Sequence, residues 1–470
     1  MTKAFRIAGF DPQRAGSATK RPRLAIVSTF DDMCGIAGYT RFLLKQLEGD
    51  FDIDVFDLDQ FFMRSTDRRV RKLADQMIQD FAGRAGGFDF VNIQLEYGIL
   101  GAERNDIIRR FRWIAEAASG LSVTFHTILP HASLKGSDVM RALTRLKFGE
   151  ANRLLADHRN ARRLNRSIYG LLRRLGERKT VNVIVHTRRD MRVMRHVHRV
   201  PSVFHHPLAF LRPEQAASLK AATTRSSIPG LSRLPAHAKV IGVFGFLSEY
   251  KGFEVVIRAL RLLPEDYHLL IFGGVHPNEI RREEKIYPYV RKLLDETHVD
   301  SSLFDALDNK SVSVTVGAAE NAALLFEHPK NMGGRIHFLG PQTDEGFARG
   351  MAICDAVVLP YVEIGQSSSG PMSIAIEMGA RVIAARNHAF LQFARYHPDS
   401  IEFFDVGNHL ELAERLLAPP AYPPERRTLA YNAATNRALY VEANSPGPKR
   451  ADRDMEASTG LRIGNEYSQS

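Results

Sequence analysis

The chain is poor in cysteine and has no long apolar run. Its 470 residues include only two cysteines, Cys34 and Cys354, which lie far apart and outside any C-x-x-C motif. They predict neither a disulfide framework nor a zinc site, and a reducing compartment is the simplest expectation. The first residues are polar and basic, so we expect no secretory signal. No window approaches the roughly 18 apolar residues that a transmembrane helix needs.

The composition instead indicates a large globular protein with an uneven charge. The length corresponds to two or three domains, and 25% charged residues is an ordinary fraction for a folded chain. Of the net charge of +11, the stretch 141–179 contributes +9, from twelve Lys or Arg and three acids. A basic surface attracts phosphates on nucleotides, membranes or nucleic acids, and composition does not choose among these.

Short apolar runs alternate with amphipathic stretches along most of the chain. Runs that are each followed by a helical pattern predict parallel strands with helices on both faces. We predict strands at 24–28, 53–56, 90–94, 123–126, 181–186, 202–205, 240–245, 269–273, 336–340, 356–360, 382–385 and 401–404. Six strands in each half predict an α/β protein with two doubly wound, Rossmann-like domains.

The composition also sets the predicted boundaries. Residues 213–239 are rich in Ala, Ser, Pro and Thr without a strand pattern, so we interpret them as a linker. We expect a flexible segment at 1–21, one domain at 22–212, and a second domain with a closing helix at 240–441. Residues 442–470 contain SPGPKRADRD and further polar residues, so we expect a mobile tail there. Because ligands bind beyond the C-terminal ends of parallel strands, we expect the functional site in the cleft between the domains.

The sharpest local signal is a Ser- and Gly-rich loop that opens a helix within 355–385. Pro371 suits a first helical turn, where its missing N–H costs nothing, and Gly379 ends the helix. The amides near Ser369 and Gly370, with the helix dipole behind them, predict an anion site. An ordinary capped helix is the alternative interpretation.

Two charged residues add to this signal. Glu377 lies in an apolar run of the same helix, where a carboxylate needs a partner. Ligand hydroxyls would serve, and so would a basic side chain from a neighbouring strand. Lys251 follows a strand and a glycine-containing turn, which places one ammonium at the end of the strand and suits a phosphate. No Walker motif is present.

The first half carries weaker signals of the same kind. Gly35 and Gly38 open a helix after the first strand, a turn compatible with phosphate, but their spacing is not that of a dinucleotide-binding motif. His126, His205 and His206 lie at the ends of predicted strands. A single histidine of this kind is more often structural, whereas three at one cleft favour a function.

Two D-x-D strings, 52–54 and 57–59, raise the question of a metal site. They lie in and just after a strand with period-two alternation, so we interpret their carboxylates as facing solvent. We therefore predict no catalytic metal and no cofactor apart from a substrate nucleotide.

Together these segments resemble one family. Over most of residues 22–420, the chain resembles the retaining glycosyltransferases of family four, which have the GT-B fold. The resemblance is carried by FGFLSEYKG (244–252), IHFLGPQTDEGFARGMAICDAVVLPY (336–361), GQSSSGPMSIAIEMGARVIAA (365–385), VNIQLEYGILG (91–101) and VTFHTILP (123–130). These segments are specific as a set, although none is specific alone.

The resemblance implies a hexosyltransferase of EC class 2.4. Such an enzyme moves a sugar from a UDP- or GDP-linked donor to a saccharide or lipid-linked acceptor, with retention and without a metal. The resemblance also implies a role for each site residue. Lys251 and the amides of Ser368, Ser369 and Gly370 would bind the donor diphosphate, which Gly35 would approach from the other domain. Glu377 would bind the ribose, Gly274, Leu339 and Gly340 would border the base pocket, and His126 would contact the transferring sugar. Stabilising the departing diphosphate would be the main electrostatic task.

Two positions depart from the family pattern. The family usually has an arginine five residues before the lysine, where this chain has Phe246, and an acid eight residues before the second glutamate, where it has Ser369. These departures motivate one alternative, a catalytically silent nucleotide-sugar-binding protein. Two others stay open as well: an epimerase or hydrolase on the same fold, and a basic peripheral membrane adaptor.

The basic stretch 141–179 has two interpretations. Leucines and an isoleucine at helical spacing within 164–175 are flanked by arginines, which fits an anionic membrane surface carrying a lipid-linked acceptor. A solvated helix that packs on the domain is the alternative. We do not predict nucleic-acid binding, because few aromatics interleave the basic residues. We expect a cytoplasmic protein, free or peripheral on the inner face of the membrane, in polysaccharide or glycolipid biosynthesis.

Overall fold

The computed structural model contains two parallel sheets of six strands each. It describes residues 21–32, 34–128, 140, 144, 163–228, 231, 234–275, 287–297, 332, 334–362, 368–422 and 429–446. The first sheet comprises β1 (Arg23–Ser28), β2 (Asp52–Asp57), β3 (Phe90–Leu95), β4 (Gly120–Phe125), β5 (Val181–Val185) and β6 (Val203–His205), in the order β2-β1-β3-β4-β5-β6. The second comprises β7 (Lys239–Phe244), β8 (Tyr267–Phe272), β9 (Ile336–Gly340), β10 (Ala356–Leu359), β11 (Val382–Ala385) and β12 (Ile401–Phe404), in the order β12-β11-β10-β7-β8-β9.

All twelve predicted strands are confirmed, with ends that differ by at most three residues. The two-sheet α/β fold is therefore confirmed as well. Neither Cys34 nor Cys354 forms a disulfide. The predicted N-terminal segment and C-terminal tail fall almost entirely outside the described residues.

Helices connect the strands and cover the sheets. In the first half they are α1 (Gly35–Leu47), α2 (Gln60–Met63), α3 (Arg68–Ala85), α4 (Arg104–Ala117), α5 (163–176) and α6 (Arg188–Arg192). The later helices are α7 (Pro213–Ala222), α8 (Phe253–Leu260), α9 (Pro288–Thr297), α10 (Asp344–Ile353), α11 (Gly370–Glu377), α12 (His388–Ala394), α13 (His409–Leu417) and α14 (Ala433–Ala443). Several begin at a side chain that accepts from an amide of the first turn, as Asp67, Thr343 and Asn432 do.

Apolar side chains fill three layers. One lies between the first sheet and α3, α4 and α5, and another between the second sheet and α8, α9 and α13. The third contains residues of both halves, including Ile26 and Tyr39 from the first and Phe244 and Met372 from the second. The two halves therefore share one continuous apolar layer.

The last helix returns to the first sheet through a row of buried polar residues. Asn92, Ser122 and Asn182 lie at one level of β3, β4 and β5. Ser122 Oγ donates to Asn444 Oδ1 over 2.6 Å, and Asn182 Nδ2 donates to the carbonyl of Ala443 over 2.8 Å. The sequence analysis grouped α14 with the second domain, whereas its contacts in the structure include this first-sheet row.

Helix α5 shows what happens to the amphipathic part of the basic stretch. Its apolar residues are at most 8% exposed and pack in the outer layer of the first half: Leu164, Ile168, Leu171, Leu172 and Leu175. For this helix the packed interpretation is confirmed, and the apolar face is not available for insertion into a membrane. Its arginines stay exposed at 163, 166, 173 and 174. Most of 141–162 lies outside the described residues, and within the described ranges no helix could cross a membrane.

Candidate functional site

Lys251 lies at the carboxyl edge of the second sheet, after β7. Its side chain is buried, with 6% exposure, and its Nζ is 3.8 Å from the centroid of the Tyr361 ring. No carboxylate of the described residues pairs with it. Burial lowers the pKa of Lys251 to about 7. A buried ammonium without a counterion is unfavourable, so this position is suited to an anionic ligand that would supply one.

The backbone of this turn requires a glycine directly after the lysine. Gly252 has a φ of +63°, in the left-handed region, and is the N-cap of α8. A Cβ at this position would overlap with the carbonyl oxygen of Pro360, at the end of β10. The close approach brings the Lys251 turn against the next strand.

A substitution of this glycine is therefore expected to disturb both stability and binding. Gly252→Ala should lower the free energy of unfolding by at least about 1–2 kcal/mol, the strain of a left-handed alanine, and should weaken nucleotide binding. Urea unfolding and calorimetric titration measure the two effects. The control is Gly83→Ala, late in α3, where nothing lies within 4 Å of the Cβ position and a gain of about 0.5–1 kcal/mol is expected. Equal effects of the two substitutions would contradict this account of the turn.

The helix that the sequence predicted after the Ser-rich loop is α11. Ser369 is its N-cap, and the serine Oγ accepts from the amide of Met372 over 3.4 Å. Pro371 lies in the first turn, and Gly379 follows the helix with a φ of +68°. The amides of residues 368–370 have no acceptor in the part of the chain that the structure describes. These are the amides to which the sequence assigned an anion, and the anion site stays a prediction.

Tyr361 joins the lysine to this helix. Because β7 and β10 pair in parallel, their carboxyl ends are neighbours. The amide of Val362 donates to the carbonyl of Tyr250 over 2.9 Å. The Tyr361 ring faces Lys251, and its hydroxyl donates to the carbonyl of Phe244 over 3.4 Å. Burial raises the pKa of Tyr361, and Ser369, at the start of α11, opposes that shift. One cation and one helix N-terminus therefore lie at the same edge, which is the usual composition of a phosphate site.

Glu377 has a partner that the sequence analysis did not consider. Its two carboxylate oxygens accept from the amides of Phe210 and Leu211, over 2.8 and 2.9 Å. Those residues lie between β6 and α7, where the chain crosses from the first half to the second. Burial raises the pKa of Glu377 to about 8, and the two amides oppose that shift. In its ionised form this carboxylate has about four acceptor positions, so two remain for ligand hydroxyls.

The two glycines of α1 differ in their surroundings. Gly35 begins the helix, and nothing lies within 4 Å of its Cβ position. At Gly38 a Cβ would be 2.8 Å from Oδ1 of Asp344, the first residue of α10. Arg41 Nε donates to Asp344 Oδ2 over 2.8 Å. In this structure the small size of Gly38 therefore serves a contact between the halves, which the prediction of a phosphate turn did not include.

The residues assigned to the base pocket lie at the ends of β8 and β9. The carbonyl of Gly274 accepts from the amide of Leu247 over 2.9 Å. A Cβ added at Gly274 would be 2.7 Å from the Pro341 ring. Leu339 is partly buried, and Gly340 has a φ of +71°. Since β8 is next to β7, these residues share an edge of the sheet with Lys251.

The predicted histidines separate into two groups. His126 is buried at the end of β4, and burial lowers its pKa well below the usual value. His205 Nδ1 is 2.9 Å from the hydroxyl of Tyr396, and His206 Nε2 is 2.8 Å from Oγ1 of a threonine in α14. His205 and His206 therefore take part in contacts between elements of the two halves.

The D-x-D carboxylates are not all exposed. Asp57 accepts from the amides of Phe30 and Asp31, over 2.8 and 3.4 Å, and burial raises its pKa. Asp59 is the N-cap of α2. The interpretation as solvent-facing is confirmed for Asp59, which is exposed, and is wrong for Asp57, which is half-buried and satisfies two backbone amides. Among the described residues, no group of His, Cys, Asp and Glu is arranged to hold a metal ion.

Two residues of this region were missed by the sequence analysis. Tyr361 follows β10, and His186 follows β5, next to His126 on β4. The available signal was position, because His186 comes directly after a buried strand and Tyr361 comes two residues after one. Neither residue type is rare enough at such a position to have been chosen from sequence.

Comparisons with known proteins identify the fold. No protein-family model matches the chain, and no curated protein sequence matches it either. Among solved structures, the trehalose-6-phosphate synthase OtsA has a TM-score of 0.57 and 9% identity, over 93% of this chain and 99% of that one. A UDP-forming α,α-trehalose-phosphate synthase from Burkholderia xenovorans has a TM-score of 0.55 and 9% identity, over 93% and 98%. A glycosyltransferase from Rickettsia africae has a TM-score of 0.53 and 12% identity, over 91% and 100%. The two parallel six-stranded sheets therefore form the GT-B fold.

Proposed function

We propose that the protein is a glycosyltransferase that moves a sugar from a nucleotide donor to a saccharide or lipid-linked saccharide, with retention and without a metal. The observation that carries this proposal is the buried Lys251, which has no described counterion and lies at the same sheet edge as the start of α11. A diphosphate fits this place, because its oxygens accept from an ammonium and from backbone amides at the same time.

In this proposal the chain acts mainly on the leaving group. Lys251 and the amides of Ser368–Gly370 stabilise the negative charge that grows on the diphosphate as the bond to the sugar breaks. Glu377 accepts hydrogen bonds from the ribose hydroxyls at the acceptor positions that the amides of Phe210 and Leu211 leave free. His126 contacts the transferring sugar. Because Phe246 and Ser369 replace the arginine and the acid that the family usually has, Lys251 is the cation that remains at these family positions.

Separate observations guide the choice of donor and of acceptor. Two of the solved structures with this fold are UDP-forming synthases by name, which makes UDP the first nucleotide to test. The exposed arginines of α5 suit an anionic surface, where a lipid-linked acceptor would be found. Membrane attraction of this kind is electrostatic and should weaken with salt.

Product analysis tests the function. We expect the wild type to release nucleotide from one of UDP-glucose, GDP-mannose and ADP-glucose, faster with a saccharide mixture than with water alone, and with EDTA present. Proton NMR should show that the product keeps the anomeric configuration of the donor. Release to water at the same rate would favour a hydrolase, and a new sugar still linked to nucleotide would favour an epimerase. Binding without any product would favour the silent binding protein.

The lysine should make nucleotide binding depend on pH. Since the pKa of the free protein's Lys251 is about 7, the ammonium is mostly deprotonated at pH 8 and must take up a proton when the diphosphate binds. The affinity should therefore fall by up to about tenfold per pH unit above pH 7. Titration at pH 8 in two buffers of different ionisation enthalpy should show close to one proton taken up. Equal heats in both buffers would contradict this role of Lys251.

A further inference from the structure

Two neighbouring histidine rings lie at the carboxyl edge of the first sheet. His126 follows β4 and His186 follows β5, and these strands pair in parallel. The ring centroids are 5.1 Å apart. The ring of Tyr39 meets both edge-on, with centroid distances of 5.4 Å to His126 and 6.0 Å to His186. The pair is therefore at the kind of edge where α/β proteins bind ligands.

The existing hydrogen bonds determine which ring nitrogen carries the hydrogen. His186 Nδ1 is 3.1 Å from the carbonyl oxygen of His206, which can only accept, so Nδ1 must donate. His126 Nε2 is 2.9 Å from Gln94 Oε1, and the amide nitrogen of that glutamine donates to Asn92 instead. Nε2 of His126 must therefore donate. In each neutral ring the other nitrogen is an acceptor with a free lone pair.

Neither lone pair meets a donor among the residues that the structure describes. His186 is 2% exposed, and its Nε2 is buried without a partner. His126 is 9% exposed. Burial lowers the pKa of His186 to about 4 and that of His126 well below its usual value, so both rings are neutral near pH 7. The buried Nε2 of His186 is an acceptor without a donor, which is unfavourable, and a ligand that supplied the donor would relieve it. Nδ1 of His126 offers a second acceptor beside it.

We propose that His186 and His126 bind two hydroxyl groups of one sugar ring, which makes His186 a sugar-binding residue. This inference rests on the proposed function, in which the ring is the transferring sugar. A hydroxyl can donate a hydrogen bond to a neutral imidazole, whereas a phosphate or carboxylate is largely ionised at neutral pH and acts as an acceptor. The bare nucleotide should therefore gain nothing from His186, and the sugar should gain directly.

Two substitutions separate this role from a structural one. His186→Asn keeps a donor near the Nδ1 position for the His206 carbonyl and removes the acceptor at Nε2. His186→Gln reaches toward the Nε2 position and loses the donor to His206. If His186 is only structural, the asparagine variant should behave as the wild type and the glutamine variant should be the damaged one.

Calorimetric titration with named probes tests the inference. The probes are UDP, GDP and ADP, together with UDP-glucose, UDP-N-acetylglucosamine, GDP-mannose and ADP-glucose. We expect the wild type to bind one nucleotide and to bind a sugar conjugate of it more tightly. His186→Asn should lose about three- to tenfold in affinity for the conjugate, while its affinity for the nucleotide and its unfolding temperature stay unchanged.

The outcomes distinguish the inference from the function on which it rests. If His186→Asn binds the conjugate as tightly as the wild type, the inference is wrong and the proposed function stands. The same holds if no conjugate binds the wild type more tightly than its nucleotide. If the wild type binds neither nucleotides nor conjugates, the proposed function fails and the inference fails with it.

Discussion

Replacing Lys251 by methionine is expected to abolish nucleotide binding while making the free protein more stable. In the proposed function the ammonium is the charge that holds the diphosphate, and loss of one such preorganised group typically costs about 10²–10³ in turnover. The same ammonium is buried without a described counterion, so methionine, which has a similar volume, removes a desolvation penalty. We expect the free energy of unfolding at pH 7 to rise by about 1–4 kcal/mol.

The pKa of Lys251 determines how the free energy of unfolding changes with pH. The pKa of Lys251 is about 7 in the folded protein and near 10.5 in an unfolded chain. Between these values the unfolded state holds the additional proton, so the stability of the wild type rises with pH across this window. The advantage of Lys251→Met should be largest below pH 7 and should fade toward pH 10.5.

A lysine at the other end of β7 provides the control. Lys239 begins β7 at the opposite end, and its side chain is 53% exposed. Lys239→Met should leave nucleotide binding unchanged and should not stabilise the protein. Chemical unfolding and titration of the two variants can be compared directly. A Lys251→Met protein that is less stable than the wild type would contradict the view that this lysine is held at the expense of stability.

Replacing Glu377 by alanine is expected to destabilise the protein even when no nucleotide is present. The change leaves the amides of Phe210 and Leu211 without their acceptor at the crossover between the halves. Each buried amide without a partner costs about 1–3 kcal/mol, so the free energy of unfolding should fall by about 2–6 kcal/mol. Turnover should also fall, because the ribose loses its acceptor in the proposed function. Urea unfolding of the free protein measures the structural part alone.

A partial replacement and an exposed glutamate test this explanation. Glu377→Gln keeps one carbonyl acceptor, so its loss of stability should be smaller than that of the alanine variant. Glu414, on α13, is exposed, and Glu414→Ala should change the free energy of unfolding by no more than about 0.5 kcal/mol. If Glu377→Ala unfolds as the wild type does, the crossover contact contributes nothing and Glu377 serves the ligand alone.

The sequence predicted the strands because each is a short run of mostly apolar residues between turn signals. Lys251 and the start of α11 could be predicted for a related reason, since glycine, serine and proline mark backbone positions with specific requirements. Gly379 is an example, because its φ of +68° is the value that a helix-ending glycine usually adopts. Signals of this kind are local, so they can be read from the chain.

What the sequence could not show were partners distant in the chain. Glu377 clearly needed a partner, but the amides of Phe210 and Leu211 carry no sequence signature, since every residue except proline has such an amide. The amphipathic pattern of α5 identified a face that is buried, although it did not say whether protein or lipid buries it. The same applies to Asn182, a polar residue in an otherwise apolar strand whose partner belongs to the end of α14.

The central claim is that Lys251 and the start of α11 bind the diphosphate of a nucleotide. Its most direct test is the thermal unfolding of the wild type and of Lys251→Met with UDP, GDP and ADP. A nucleotide at 100 times its dissociation constant stabilises the folded state by about 2.7 kcal/mol, which is readily detected. The account predicts such a shift with at least one nucleotide in the wild type and no shift in Lys251→Met. Equal shifts in both proteins, or none with any nucleotide in the wild type, would contradict it.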